Sequence, residues 1–316
     1  MADRPKLTIV TRTQGANRAL KDGRVRPETV GLDFVEVPVL VDAFRRMVRQ
    51  LEFDVCEMAV TTYLCARSFG AAFTALPVFL WRGLHHGAIQ THPAAGVSAP
   101  GDLEGRRVGV NRGYTVTTGV WARGILADEH GVDLERVTWV LSGDEHVAQY
   151  RPPANVVPAP EGQSLAELLA AGDLAAVIGA DIASPEVTPL ITDPERAAME
   201  ALARRGFYPI NHLVVVRDDV LHTTPGVAAD LFDAFAEAKR LYVDELGRAD
   251  EGSLTGSDRL NRAIMGVVGG DPLPYGLAPN RDMLEKLLDY AIAQRILTER
   301  PPLESLFAEG TGALSA

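Results

Sequence analysis

The chain is poor in cysteine, short of positive charge and free of long apolar runs. Its 316 residues include two cysteines, Cys56 and Cys65. They form no C-x-x-C pair and have no Cys/His neighbours at zinc spacing, which excludes a disulfide framework and a zinc finger. Two buried thiols in a reducing compartment are expected instead. The 31 basic residues are outnumbered by 42 acidic ones, for a net charge of −11. A surface of that sign repels phosphate backbones, so nucleic-acid binding is disfavoured, while a small anion in a local pocket is not. No stretch approaches the roughly 18 apolar residues that cross a bilayer. No apolar signal region precedes Leu7-Thr-Ile-Val10, so a cytoplasmic protein without a membrane partner is expected.

Several motifs are missing as well. No G-x-x-x-x-G-K-[S/T] loop and no G-x-G-x-x-G turn is present, so nucleotide cofactors are unsupported. There is no G-x-S-x-G elbow and no Cys/His dyad, which argues against a covalent nucleophile. Glu57, His86 and His212 show no metal-ligand spacing, so neither metal nor cofactor is expected. Internal repeats and long low-complexity segments are absent.

The composition present is that of a folded protein, 47% hydrophobic and 23% charged. At roughly 100–200 residues per domain, the length predicts two lobes or one large α/β unit. Short β-branched runs alternate with amphipathic segments, which argues for the α/β class. Strands are expected at Leu7–Thr11, Phe34–Val37, near Asp54–Met58, at Phe73–Phe79, Gly87–Gln90, Arg107–Asn111, Val137–Leu141, Ala175–Gly179 and Phe207–Val216. Pro209 restricts the first half of the last to an edge or crossover. Helices are expected at Asp42–Arg49 and Thr117–Glu129, the latter ended by Gly131. Ser164-Leu-Ala-Glu167 reads as a capping box. Thr224-Pro225 reads as an N-cap and first helical position, ahead of the stripe Val227, Leu231, Phe235, Ala238 and Tyr242. Asn280 reads as the cap of a final helix. The restart near residue 92 and a crossover near 207 predict a discontinuous arrangement. Residues 1–91 plus 211–316 would form one lobe and 92–210 the other, with a ligand cleft between them.

Histidine is the natural proton donor near neutral pH, and arginine grips carboxylates bidentately. Arg82, His85 and His86 follow a strand end in Trp-Arg-Gly-Leu-His-His, with His85 the weaker partner. His212 lies where the chain is expected to cross between lobes. Glu57 sits among Val55, Met58, Ala59 and Val60, where a carboxylate pairs with a cation or shifts its pKa. Thr61 and Thr62 stand at a helix start that offers free N–H groups to an anion. The turn Asn111-Arg-Gly-Tyr-Thr-Val-Thr117 offers the same, with Arg112, Tyr114 and Thr117 as candidate contacts. Each residue also has an ordinary structural reading, as surface cluster, satisfied core histidine or helix cap.

Several strings resemble the 4,5-dihydroxyphthalate decarboxylase family. They are Phe53-Asp-Val-Cys-Glu-Met58 with Thr61-Thr-Tyr-Leu64, and Leu76-Pro-Val-Phe79 followed by Arg82 and His86. Next come Gly105–Val110 with Val120–Leu126, Leu165–Gly172, and Tyr208-Pro-Ile-Asn-His212. The last are Pro274-Tyr-Gly-Leu-Ala-Pro-Asn280 and Leu303–Phe307. The resemblance implies a two-lobed type-2 periplasmic-binding-protein-like fold with two crossover strands and an interlobe site. It also implies decarboxylation of a small hydroxyaromatic or heteroaromatic acid, without a cofactor. In that reading His86 or His212 protonates the ring carbon and Glu57 orients the donor or accepts a hydroxyl proton. Arg82, Thr61, Thr62, Arg112, Tyr114 and Thr117 surround the acid. Where the family carries Tyr-Asp-Arg after the first strand, this chain reads Thr13-Gln-Gly-Ala-Asn-Arg18. A non-catalytic solute-binding protein for a small carboxylate is the alternative, and a lyase of the same fold acting on a modified nucleoside or other metabolite is a third reading. A homo-oligomer is compatible with each.

Overall fold

Lys6–Val10 (β1) turns Leu7, Ile9 and Val10 inward, and Val55–Ala59 (β3) is buried along its whole length. These runs seed the first of two sheets in the computed structural model, which describes residues 4–206 and 208–316. The chain divides into two units. The first is drawn from Met1–Arg82, Gly206–Glu285 and Pro301–Ala316, the second from Gly83–Arg205 and Lys286–Arg300. The sequence reading drew its first lobe from 1–91 and 211–316. The structure moves residues 83–91 and 286–300 to the second unit and sets the return to the first at Gly206; Ile89–Thr91 (β5) pairs with strands of the second unit.

In the first unit, β1 and β3 join Gly31–Phe34 (β2), Phe73–Arg82 (β4) and Ile210–Arg217 (β11) in the order β2-β1-β3-β11-β4. β1 runs parallel to β2 and β3, whereas β11 runs antiparallel to both of its neighbours. Seven of the eight β11 residues are buried, as a central strand requires. Of the edge or crossover expected from Pro209, the edge is corrected and the crossover stands: the chain returns to the first unit at Gly206, and the strand begins one residue after the proline, whose missing N–H interrupts no ladder bond,. β2 likewise begins three residues before the expected Phe34.

Helices cover this sheet. Leu40–Gln50 buries Leu40, Ala43, Phe44 and Met47 at helical spacing,. Val60–Ser68 follows β3 without an intervening loop. Val227–Arg248 buries the predicted stripe of Val227, Leu231, Phe235, Ala238 and Tyr242. Two cap assignments need correction. Gly226, at φ 79°, precedes the long helix, so Pro225 is not its first residue. Asn280 ends a short 3₁₀ turn, and its amide Nδ2 donates to the carbonyls of Pro274 and Gly276 while its Oδ1 accepts from Arg82.

The second unit holds β5, Arg107–Val110 (β6), Thr138–Leu141 (β7), Val156–Pro158 (β8), Ala176–Ile178 (β9) and Thr188–Pro189 (β10), in the order β10-β5-β9-β6-β7-β8. Its core includes Val140, Leu165, Leu168, Leu169, Leu174 and Val177. The helix Thr117–His130 ends at Gly131, at φ 67°, a left-handed position that glycine fills without steric cost. The capping box forms as expected, with Glu167 N–H donating to Ser164 Oγ and Ser164 N–H to Glu167 Oε2. Among the described residues no helix is long and apolar enough to cross a membrane.

Candidate active site

Strand pairing builds the site in the first unit. Antiparallel register places Val214 opposite Glu57 and His212 opposite Ala59, so Glu57 and His212 share one face as diagonal neighbours,. On its other side His212 lies opposite Trp81, and the β11–β4 ladder is irregular both before and after His212. Such irregularities re-aim side chains and recur beside active sites. The result is a contact of 2.6 Å between His212 Nδ1 and Glu57 Oε1. The carboxylate is fully buried and the imidazole residue is 7% exposed.

Two further donors hold Glu57. The Arg12 amide N–H reaches Oε2 at 2.8 Å, and the Gln14 side-chain amide reaches Oε1 at 3.2 Å. Both come from the loop after β1, which is itself locked. Asn17 donates to Thr11 Oγ1 and to the Arg12 carbonyl, and accepts from the Gln14 amide. Gly15 lies against Tyr242 so closely that a Cβ there would stand 2.1 Å from the ring. Rings surround the histidine: Phe44 meets it edge-on at 5.1 Å, and Trp81 lies at 5.0 Å between centroids. The Arg12 guanidinium sits 5.8 Å from the Trp81 ring centroid.

The chemistry follows from this set of partners. A carboxylate only accepts, so Nδ1–H is the donor in the Glu57–His212 pair. The tautomer is thereby fixed and Nε2 is left to exchange a proton with a ligand, the arrangement that orients catalytic imidazoles elsewhere. Close by, burial and the charges of Asp271 and Glu57 push the Tyr275 phenol far above its usual range, although Arg82 opposes them. Tyr275 stays a neutral hydroxyl.

The other expected residues fall into different roles. Thr61 and Thr62 are fully buried in the first turn after β3, where no side chain caps the helix. Thr62 Oγ1 has no hydrogen-bond partner among the described residues. Arg82 is buried, and its guanidinium donates to Tyr208 O at 2.8 Å, Pro274 O at 2.7 Å and Asn280 Oδ1 at 2.7 Å. Burial lowers it to about 10, so it remains a cation at neutral pH. It clamps the segments that contain Tyr208, Pro274 and Asn280 to the end of β4.

In the second unit, His86 Nε2 lies 3.1 Å from Glu129 Oε2, and His86 Nδ1 has no partner among the described residues. Arg205 and Arg204 also approach Glu129, at 3.4 and 3.9 Å. Burial works against the charged form of Glu129, but the His86 hydrogen bond and the charges of His86, Arg205 and Arg204 outweigh it and hold the carboxyl below its ordinary range. His85 stacks on Trp121. The turn before Thr117 does present its amides to a carboxylate, but one belonging to this chain. Glu145 accepts from the N–H groups of Tyr114 and Thr115 and from Thr115 Oγ1. Tyr114 also gives its carbonyl to Arg123 and its ring face to that guanidinium. Arg112 is exposed, in left-handed backbone at φ 68°, and Thr117 is buried. Among the described residues no cluster of three His, Cys, Asp or Glu side chains is arranged to hold a metal ion.

No family model matches the chain. Comparison with individual proteins is more informative. A 4,5-dihydroxyphthalate decarboxylase of Comamonas testosteroni is 29% identical over 319 residues, covering 96% of each chain. One of Pseudomonas putida is 34% identical over 197 residues, covering 58% of this chain and 76% of that one. This chain belongs to the 4,5-dihydroxyphthalate decarboxylase family. Its fold is similar to that of the periplasmic aliphatic sulphonate-binding protein SsuA of Escherichia coli, with a TM-score of 0.55 at 12% identity over 98% of this chain and 99% of that one. That likeness speaks for the two-lobed binding-protein-like fold and leaves the chemistry to the site.

Sequence reasoning missed Arg12, Gln14, Phe44 and Trp81. Its one available signal was the loop after β1, where the family string is replaced. The departure marks the segment that holds Glu57.

Proposed function

We propose that this chain is a carboxy-lyase that removes CO2 from a small hydroxyaromatic or heteroaromatic carboxylic acid, as its relatives' names say of 4,5-dihydroxyphthalate. The observation that carries this reading is the buried Glu57–His212 pair, held by the Arg12 amide and by Gln14 and walled by Phe44 and Trp81.

In the proposed reaction the imidazolium Nε2–H gives its proton to the ring carbon that bears the carboxylate. A phenol oxygen para or ortho to that carbon supplies electron density to the ring as the C–H bond forms. The C–C bond to the carboxylate then breaks, its electron pair restores the aromatic ring, and neutral CO2 departs. His212 is left as neutral imidazole and regains its proton from water. The step is redox-neutral. Glu57 stabilises the imidazolium and fixes its orientation, and the aromatic wall favours loss of an uncharged product. A proton donor of this kind contributes about 10²–10⁴-fold when correctly placed. Thr61 and Thr62, at the helix start beside Ala59, are proposed to line the acid. His86 is proposed to fasten the turn after β4 to the helix that carries Glu129.

Purified protein incubated with hydroxyphthalates, hydroxybenzoates and heteroaromatic acids is expected to release CO2 from at least one of them. Ligands that raise the melting temperature without any turnover would favour a solute-binding protein instead.

A further inference from the structure

Arg12 is exposed, yet it is positioned at both ends. Its amide N–H is fixed by Glu57 at 2.8 Å, and its guanidinium lies 5.8 Å from the Trp81 ring centroid. Trp81 is also the ring that packs 5.0 Å from His212. One indole therefore flanks both the candidate proton donor and a cation. A guanidinium held against an aromatic face engages its own face and keeps its N–H donors in plane, in a fork that matches a carboxylate. Among the described residues that fork makes no ion pair. Arg82 donates through both terminal nitrogens to Tyr208, Pro274 and Asn280, and Arg217 pairs with Asp54 and Asp219.

Charge accounting decides which anion suits Arg12. The departing carboxylate loses its charge as CO2 forms, so an arginine gripping it would hold the ground state more tightly than the transition state. An anion that stays on the ring keeps its charge throughout, and gripping it favours both states equally.

We propose that Arg12, in cation–π contact with Trp81, binds the anionic group that an aromatic acid retains after CO2 leaves, and so sets a preference for ring acids with a second carboxylate,. This assignment rests on the decarboxylase reading only for its kinetic arm. Arg12→Ala keeps the backbone N–H that Glu57 requires. It is expected to raise KM for a hydroxylated aromatic diacid by about ten- to a hundredfold, the loss typical of a hydrogen-bonded charge pair. Its kcat, and both constants for the corresponding monoacid, should change less than about threefold. Arg12→Lys, which keeps the charge and loses the fork, should fall between. The binding arm uses phthalate and benzoate as probes. The unsubstituted protein should prefer phthalate about tenfold or more by calorimetry, and Arg12→Ala should abolish that preference. Phthalate preference abolished by Arg12→Ala in a protein with no turnover upholds the anchor and rejects the lyase. Turnover whose diacid preference survives Arg12→Ala rejects the anchor and upholds the lyase. No phthalate preference in the unsubstituted protein overturns the proposal, as does an equal fall in kcat for both substrate types.

Discussion

Glu57 and Glu129 each meet an imidazole, at 2.6 and 3.1 Å, and they differ in what else touches the carboxylate. Around Glu57 the additional hydrogen-bond donors are neutral, an amide N–H and a glutamine amide. Among the described residues it makes no ion pair with lysine or arginine, and His212 is the ionisable side chain that it touches. Around Glu129 two arginines add positive charge. A carboxylate already facing guanidinium groups gains less from an imidazolium and stabilises it less. The first carboxylate is given over to one imidazole and two neutral donors; the second is shared between an imidazole and two arginines and ties segments of its unit together. The lesson is that two glutamate–imidazole pairs of similar length differ in the rest of the carboxylate's partners, and the proposed proton donor is assigned on that difference.

The largest expected effect comes from exchanging the two acids for amides. Glu57→Gln keeps the shape but cannot stabilise an imidazolium, and it can present an N–H to Nδ1. CO2 release should fall by about 10²–10⁴-fold. Glu129→Gln should lower it less than about tenfold. Comparable losses in the two variants would erase the contrast.

Gly15→Ala tests whether the loop after β1 supports the first pair. The added methyl meets Tyr242 at 2.1 Å, and overpacking of this sort costs about 1–3 kcal/mol. Thermal unfolding should report that loss, and kcat should fall with it as the Arg12 amide and Gln14 leave Glu57. A stability loss with unchanged kcat would mean that those two donors matter little. Asn280→Ala is the counterpart in the same unit. It removes one acceptor from buried Arg82, for about 1–3 kcal/mol of stability, and should leave kcat and KM nearly unchanged. A large KM effect would return Arg82 to the substrate.

The smallest effect concerns pH. Glu129 is held below its ordinary value of 4.5, so it binds fewer protons folded than unfolded. Its contribution to stability is present above pH 4.5 and fades as pH falls through the depressed value. Acid titration should show the unsubstituted protein losing more stability across that window than Glu129→Gln. Parallel curves would remove the electrostatic role given to the arginines.

Much of the fold was legible because it is locally encoded. The Ser164–Glu167 box, the Gly131 stop and the stripe from Val227 to Tyr242 each depend on residues within a few turns of one another. The site was half legible. Glu57 and His212 stood out as a buried-context acid and a histidine, but their meeting depends on the register of two strands 155 positions apart. Arg82 looked like a carboxylate grip because its neighbours in sequence are histidines. Its real acceptors lie 126 to 198 positions further on. The turn at 111–117 was expected to offer its amides to an anionic ligand, yet no local pattern could reveal that Glu145, 30 residues after Thr115, accepts from the Tyr114 and Thr115 amides. Arg12 was overlooked because nothing in its own sequence neighbourhood shows Trp81 beneath it.

The most direct test compares His212→Asn with His86→Asn in single-turnover CO2 release from a hydroxyaromatic acid that the unsubstituted protein consumes, with substrate affinity measured in parallel. If His212 supplies the proton, its variant binds the acid and stalls before CO2 appears, whereas the His86 variant proceeds at close to the normal rate. A stalled His86 variant beside an active His212 variant would contradict the account.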